Sequence, residues 1–276
     1  MNQVKKHFKT SWLVLLAFIF AALFLLLASR AVSGWLKSSA EADDTGALRQ
    51  NERGNFIKKK IFGYSGKGKA IEGYEIGFGE NAALLFGAIH GNEMGTAGLL
   101  RQLALEIALN PALVPQNNKL IIIPVANPDG YYDRTDNLNA NEVNLNLNFA
   151  TSDWQEYGPE GNYAGPRPFS ESESQAIRRV VEQYDPRVMI SFHSHGNLVS
   201  PETAASSVAL AKWYADKTGY AYYDAWDYPG TATKWFEETT GNPAITVELP
   251  KDLQSDWEIN KGALLELIMS ENLLPI

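Results

Sequence analysis

Apolar and polar positions divide the chain into three parts. After Lys5, Lys6 and Lys9, the stretch from Ser11 to Ala28 runs without a charge, a Gly or a Pro. As a helix rising about 1.5 Å per residue it would measure roughly 27 Å, close to the hydrocarbon thickness of a bilayer. The preceding lysines favour a cytoplasmic amino terminus with the body on the far side. A membrane anchor fits this pattern. So does a cleaved signal peptide, because Ser29-Arg30-Ala31 offers small residues at suitable offsets. Either one exports the body. Residues 38–54 are small, polar and charged, which reads as a linker between the segment 1–37 and a domain spanning 55–276.

Within that domain strand and helix patterns alternate. Ile71–Gly79 alternates with period two, while Ala83–His90 and Lys119–Asn127 are continuous apolar runs of buried-strand length. Val188–Phe192 and Ala244–Leu249 are two further short apolar strands. Helical spacing marks Met94–Ala108, where Leu99, Leu100, Leu103, Leu105 and Ile107 form a broad apolar face. Helices are also predicted over Ser170–Tyr184, opening with a Ser170/Glu173 capping box, over Ala204–Lys217, and near the carboxyl end. The pattern predicts an α/β fold, one sheet covered on both faces by helices.

Composition narrows the chemistry. The chain has 276 residues, no Cys and four His, so thiolate metal sites and disulfides are excluded and any transition-metal site must use His and carboxylates. The net charge of −8 hides an asymmetry. Residues 1–37 hold five basic and no acidic side chains, leaving 19 basic against 32 acidic in residues 38–276, a net of −13. So acidic a body is a poor nucleic-acid binder.

Three of the four histidines, His90, His193 and His195, stand at the carboxyl ends of predicted buried strands, where ligand sites form in open α/β sheets. In His90-Gly91-Asn92-Glu93, a strand-end His and a first-turn Glu can face one ion. Alone, the pattern also reads as a capping Glu beside an incidental His. His193-Ser194-His195 supplies further ligands, one or both: one leaves an open position for water, as catalytic zinc requires, and both would close the site. Glu248, acidic in an otherwise apolar strand, is the candidate base, and burial would raise its pKa; a solvent-facing edge Glu is the competing reading. Arg134, after the turn Asn127-Pro128-Asp129-Gly130, is the candidate donor for charge developing on an attacked oxygen.

Taken in order, His90-x-x-Glu93, Asn127-Pro128-Asp129-Gly130, Arg134, Val143-Asn144-Leu145-Asn146-Leu147-Asn148-Phe149, Phe192-His193-Ser194 and Val247-Glu248-Leu249 resemble the zinc carboxypeptidase family over roughly residues 60–270. The stretches Gly63–Ile71 and Ala164–Glu171 look like its bacterial branch containing murein peptide amidases. The resemblance implies a mixed, mostly parallel twisted sheet and one zinc ion held by His90, Glu93 and His193. It further implies Glu248 as general base and then general acid, and Arg134 polarising the scissile carbonyl. It places His195 beside the pocket rather than on the metal. Asn146 is left as a further substrate contact, and Arg167 is a candidate for the local positive charge that an acidic peptide would need against the acidic body.

Two positions depart from the family's V-D-L-N-R-N-F. Asn144 replaces an Asp that accepts a hydrogen bond from the first zinc His; its amide oxygen still accepts, without the charge that raises ligand basicity. Leu147 replaces the Arg that pairs with a substrate's terminal carboxylate, and Leu cannot form that contact. Amide hydrolysis is therefore better supported than strict carboxypeptidase action. Export together with the amidase resemblance points to peptidoglycan stem peptides. The alternatives are a related zinc deacylase of N-acyl amino acids, a catalytically decayed wall-binding module, and a structural zinc site closed by His195.

Overall fold

The computed structural model describes residues 56–133, 137–250 and 253–275. The predicted anchor, the linker and Arg134 lie outside these residues. Among the described residues no helix is long and apolar enough to cross a membrane.

The elements in chain order are β1 (Ile57–Tyr64), β2 (Ala70–Ile76), β3 (Asn81–Phe86), α1 (Met94–Leu109), β4 (Asn118–Ile123), α2 (Pro128–Asp133) and α3 (Ser172–Tyr184). They continue with β5 (Val188–Ser194), β6 (Leu198–Pro201), α4 (Ala205–Thr218), β7 (Ala221–Tyr222), α5 (Ala232–Thr240), β8 (Ala244–Leu249) and α6 (Leu253–Met269). The strands form one sheet in the order β1-β2-β4-β3-β5-β8-β6-β7. Its centre, β4-β3-β5-β8, is parallel, while β1, β2 and β6 join antiparallel. The sheet is mixed, with a parallel core.

Period-two alternation divides the central strands between two apolar clusters. Ala83, Leu85, Leu120, Ile122, Ile190, Phe192, Ile245 and Val247 pack with α1, α4 and α6. Leu84, Phe86, Ile121, Ile123, Met189 and Ala244 pack with α3 and α5 on the opposite face. On that second face β5 continues from Met189 to Ser191 and His193, and β8 from Ala244 to Thr246 and Glu248. At the carboxyl ends of two neighbouring strands, polar side chains thus occupy the parity that is apolar lower down. Helix cover stops there and a cavity opens.

The predicted capping box does not form. Helix α3 begins at Ser172, its N-cap residue Glu171 makes no side-chain cap, Ser170 Oγ donates to Glu171 Oε1 at 2.8 Å, and Glu173 Oε1 accepts from Gly66 N at 3.2 Å. Ser170 Oγ also accepts from Asn148 Nδ2 at 2.9 Å, so partners distant in sequence hold both side chains. Strands β1, β6 and β7 and helix α5 escape the sequence pattern. β1 is a Lys-rich edge strand, and α5 is a short helix fixed by its ends, with Thr231 accepting from Lys234 N and Gly241 left-handed at its close.

Candidate metal and active site

The turn from β3 into α1 carries His90 and Glu93. Thr96, in the first turn of α1, braces it: its Oγ1 accepts from Ala88 N at 2.8 Å and donates to Glu93 O at 2.7 Å. Asn127 ties the same turn to the next strand's exit, donating through Nδ2 to Ile89 O at 3.2 Å and Leu138 O at 3.0 Å. Gly91 is required by close approach: a Cβ there would fall 2.5 Å from the Gly130 carbonyl carbon. Glu93 lies at the N-cap position of α1 but makes no side-chain cap, so its carboxylate is free to face His90.

His90 Nδ1 lies 2.9 Å from Glu93 Oε1, and His193 Nδ1 lies 3.0 Å from Glu93 Oε2 and 3.3 Å from His90 Nδ1. The outer nitrogens face other groups: His90 Nε2 is 3.1 Å from Asn144 Oδ1, and His193 Nε2 is 2.9 Å from Ser191 Oγ. Because Asn144 Oδ1 also accepts from Asn146 N, it is an acceptor, and the His90 proton belongs on Nε2. That leaves the Nδ1 lone pair aimed inward. Burial alone would raise the Glu93 carboxyl, but His193 and His90 draw it down to about 2.

Glu248 of β8 is paired in register with His193 of β5. Gly196 lets its side chain pass, since a Cβ there would lie 2.6 Å from Glu248 Cβ. Burial, reinforced by the charge of Glu93 and opposed by His193, pushes the Glu248 carboxyl up to about 7. Both groups line one cavity of about 290 Å³, together with Asn144, Asn146 and Leu147.

Residues 47–261 match the family described as zinc carboxypeptidase. The chain belongs to the zinc carboxypeptidase family. It is a metal-dependent hydrolase of that family, within the murein peptide amidase-like branch. Over 196 residues it is 30% identical to murein peptide amidase A of Vibrio campbellii, covering 64% of this chain and 73% of that one. Its fold is similar to carboxypeptidase A of Helicoverpa armigera, with a TM-score of 0.71 at 18% identity over 85% of this chain and 72% of that one. It is also similar to the murein-tripeptide amidase of Escherichia coli O157, with a TM-score of 0.63 at 21% identity over 77% of this chain and 92% of that one.

The family's cofactor is one zinc ion, and the donor set fits it. His90, Glu93 and His193 are the group of metal-capable side chains that converges among the described residues. Glu93 Oε2 is buried and makes no well-directed hydrogen bond, although His193 Nδ1 is close. Two nitrogens bound tetrahedrally at about 2.05 Å stand about 3.3 Å apart, which is the separation of the two Nδ1 atoms.

Other expected residues fare differently. Asn144 accepts from His90 as expected, and Asn146 lines the cavity with its Oδ1 3.4 Å from Ala232 N. His195 adopts a left-handed φ of 87°, which breaks the strand alternation; it is exposed and not among the cavity's lining residues. The closed three-histidine site is therefore not formed. Arg167 is also exposed and outside the lining, its Nη1 near Pro168 O and Phe169 O. Sequence reasoning missed Ser191, Thr233, Thr246, Glu202 and Lys234, which meet only through the sheet and α5. Lys234 is the only Lys or Arg among the described lining residues, and it is held by Asp153 at 2.6 Å and Asp227 at 2.7 Å. Tyr228 also lines the cavity.

Proposed function

We propose that the protein hydrolyses amide bonds in peptidoglycan stem peptides, with His90, Glu93 and His193 holding one zinc ion and Glu248 acting as general base and then general acid. The observation that carries the reading is the β5–β8 register, by which Glu248 stands beside His193 in the cavity that Glu93 and His90 also line. Zinc bound there would acidify a water molecule and polarise the attacked carbonyl. Glu248 takes the proton of the attacking water and delivers it to the leaving amine, roles that its place beside His193 in the cavity allows. Asn146 Oδ1 is engaged by the α5 backbone, so its Nδ2 is the atom available to substrate. Arg134 is assigned the polarising contact from its motif position.

The cell-wall substrate is supported by the similarity to a relative named murein peptide amidase A and by the exported-chain pattern of residues 1–37. That pattern is read as a single-pass anchor that leaves the catalytic domain extracytoplasmic, or as a signal whose cleavage releases it. Leu147 presents an apolar wall where a carboxylate clamp would be needed, which favours amidase over strict carboxypeptidase action.

The test is mass-resolved digestion of purified stem peptides by the zinc-loaded protein and its Glu248→Gln variant. Cleavage within the stem by the native protein, with turnover lost at least about a thousandfold and zinc retained in the variant, is expected. Undiminished hydrolysis in Glu248→Gln rejects the base assignment. Action only on free polypeptide carboxyl ends rejects the cell-wall substrate.

A further inference from the structure

A second cavity lies apart from the catalytic one. Its volume is about 150 Å³, it sits between the β1–β2 edge of the sheet and the helices α1 and α2, and no residue lines both cavities. Arg101 of α1 stands in its lining with Lys59 of β1, Glu72 and Tyr74 of β2, and Tyr132 of α2. Tyr74 packs against the apolar cluster shared with α1. The second cavity therefore opens on the sheet face opposite the one whose parity ends in His193 and Glu248.

Arg101 has no counter-charge. Among the described residues no carboxylate forms an ion pair with it. Its Nη1 donates to Tyr131 Oη at 3.2 Å, and the guanidinium lies 5.7 Å from the centre of that ring. Burial works against its charge, while Tyr131 and then Tyr132 and Tyr74 support it. Neutral phenols solvate a guanidinium without cancelling its charge. The other two charged groups of the lining, Lys59 and Glu72, pair with each other at 2.9 Å. One positive charge is thus left over in a cavity of a strongly acidic body, and a half-buried guanidinium so placed is matched by an anion that arrives from outside.

We propose that this cavity is a second, non-catalytic ligand site, in which Arg101 binds a carboxylate carried beside a small apolar side chain, as at the end of a peptide finishing in alanine. The planar fork of Arg101 matches a carboxylate with two parallel hydrogen bonds. Pro124, Val125 and Pro128 supply an apolar wall for the neighbouring side chain. Glu72 in the same lining opposes a doubly charged phosphate, whereas one negative charge balances the one left over on Arg101. Bound there, the ligand ties α1, whose N-cap residue is Glu93, to α2, whose last residue Asp133 directly precedes Arg134.

The experiment is calorimetric titration of the zinc-loaded full-length protein with three probes: N-acetylalanine, N-acetylalaninamide, which lacks the charge, and inorganic phosphate. N-acetylalanine is expected to bind at least about tenfold more tightly than either of the others. Arg101→Gln should abolish that preference, and Arg101→Lys, which keeps the charge but not the fork, should weaken it at least about threefold. Glu248→Gln, which alters the catalytic cavity alone, should leave N-acetylalanine binding within about threefold of the native value. Equal binding of acid and amide, binding of no probe, phosphate binding as tight as the acid, or a preference unaltered in either Arg101 variant overturns the proposal. So does loss of binding in Glu248→Gln, which would place the probe at the catalytic centre. None of these readings depends on turnover, so the outcome stands whether or not the protein hydrolyses stem peptides.

Discussion

Asn144 shows how much one heavy atom matters at the residue scale. Its Oδ1 receives His90 Nε2 and Asn146 N, each at 3.1 Å, so the geometry of a carboxylate acceptor is present without its charge. Asn144→Asp should raise the basicity of His90 and tighten zinc binding about tenfold, as read by competition with a chromophoric chelator. Unchanged or weaker affinity would show that the charge does not reach the metal through His90. Much at this scale is legible in sequence: the His90-x-x-Glu93 spacing, the His193-Ser194-His195 pair and the acidic interruption at Glu248 carry chemistry in their residue types. Ser191 and Thr233 carry no such mark, because a hydroxyl in a strand or a short helix is ordinary until its neighbour is known.

Among elements, the edge of the sheet is held by a polar brace rather than by apolar burial alone. Glu75 of β2 receives Lys60 of β1 at 2.7 Å and Tyr184 of α3 at 2.7 Å. Burial would raise the Glu75 carboxyl, but the hydrogen bonds from Lys60 and then Tyr184 hold it at about 2. A carboxyl held below its unfolded value stabilises the fold above about pH 4.5 and loses that contribution as pH falls toward 2. The brace is worth about 2 kcal/mol after allowance for its partly solvated partners. Urea unfolding of the native protein should therefore weaken more steeply between pH 5 and about 2.5 than that of Glu75→Gln; parallel slopes would remove Glu75 from the acid response. The central strands were readable because they are apolar on both faces. Strands β1 and β7 lie at the two edges and were not, since an edge strand needs only one covered face and its identity depends on the partner beside it; β6, at four residues, is too short to show a period.

For the whole molecule, the metal centre and stability are linked. The ligands come from the β3–α1 turn and from β5, segments about a hundred residues apart, so an ion that binds only the folded chain stabilises the fold. Zinc at about a thousand times its Kd adds about 4 kcal/mol, or roughly 10 °C in melting temperature for a domain of this size. Chelation should reverse the shift, and His193→Ala should melt at a temperature indifferent to zinc. An equal zinc response in that variant would exclude His193 as a ligand.

Sequence by itself determined the α/β class, the central strands, the absence of thiolate chemistry and the candidate metal donors His90, Glu93, His193 and His195, because each follows from residue type and local period. It also showed that Asn144 could keep the hydrogen bond to His90 while Leu147 could not keep a carboxylate clamp. Only the tertiary structure decided between His193 and His195, since a left-handed turn at His195 ends the alternation that would have put both on one face. It alone brought Glu202 to the wall that carries Glu248. That meeting depends on β6 lying antiparallel to β8 and on α5 folding over both, and no spacing along the chain encodes a contact made by register across a sheet.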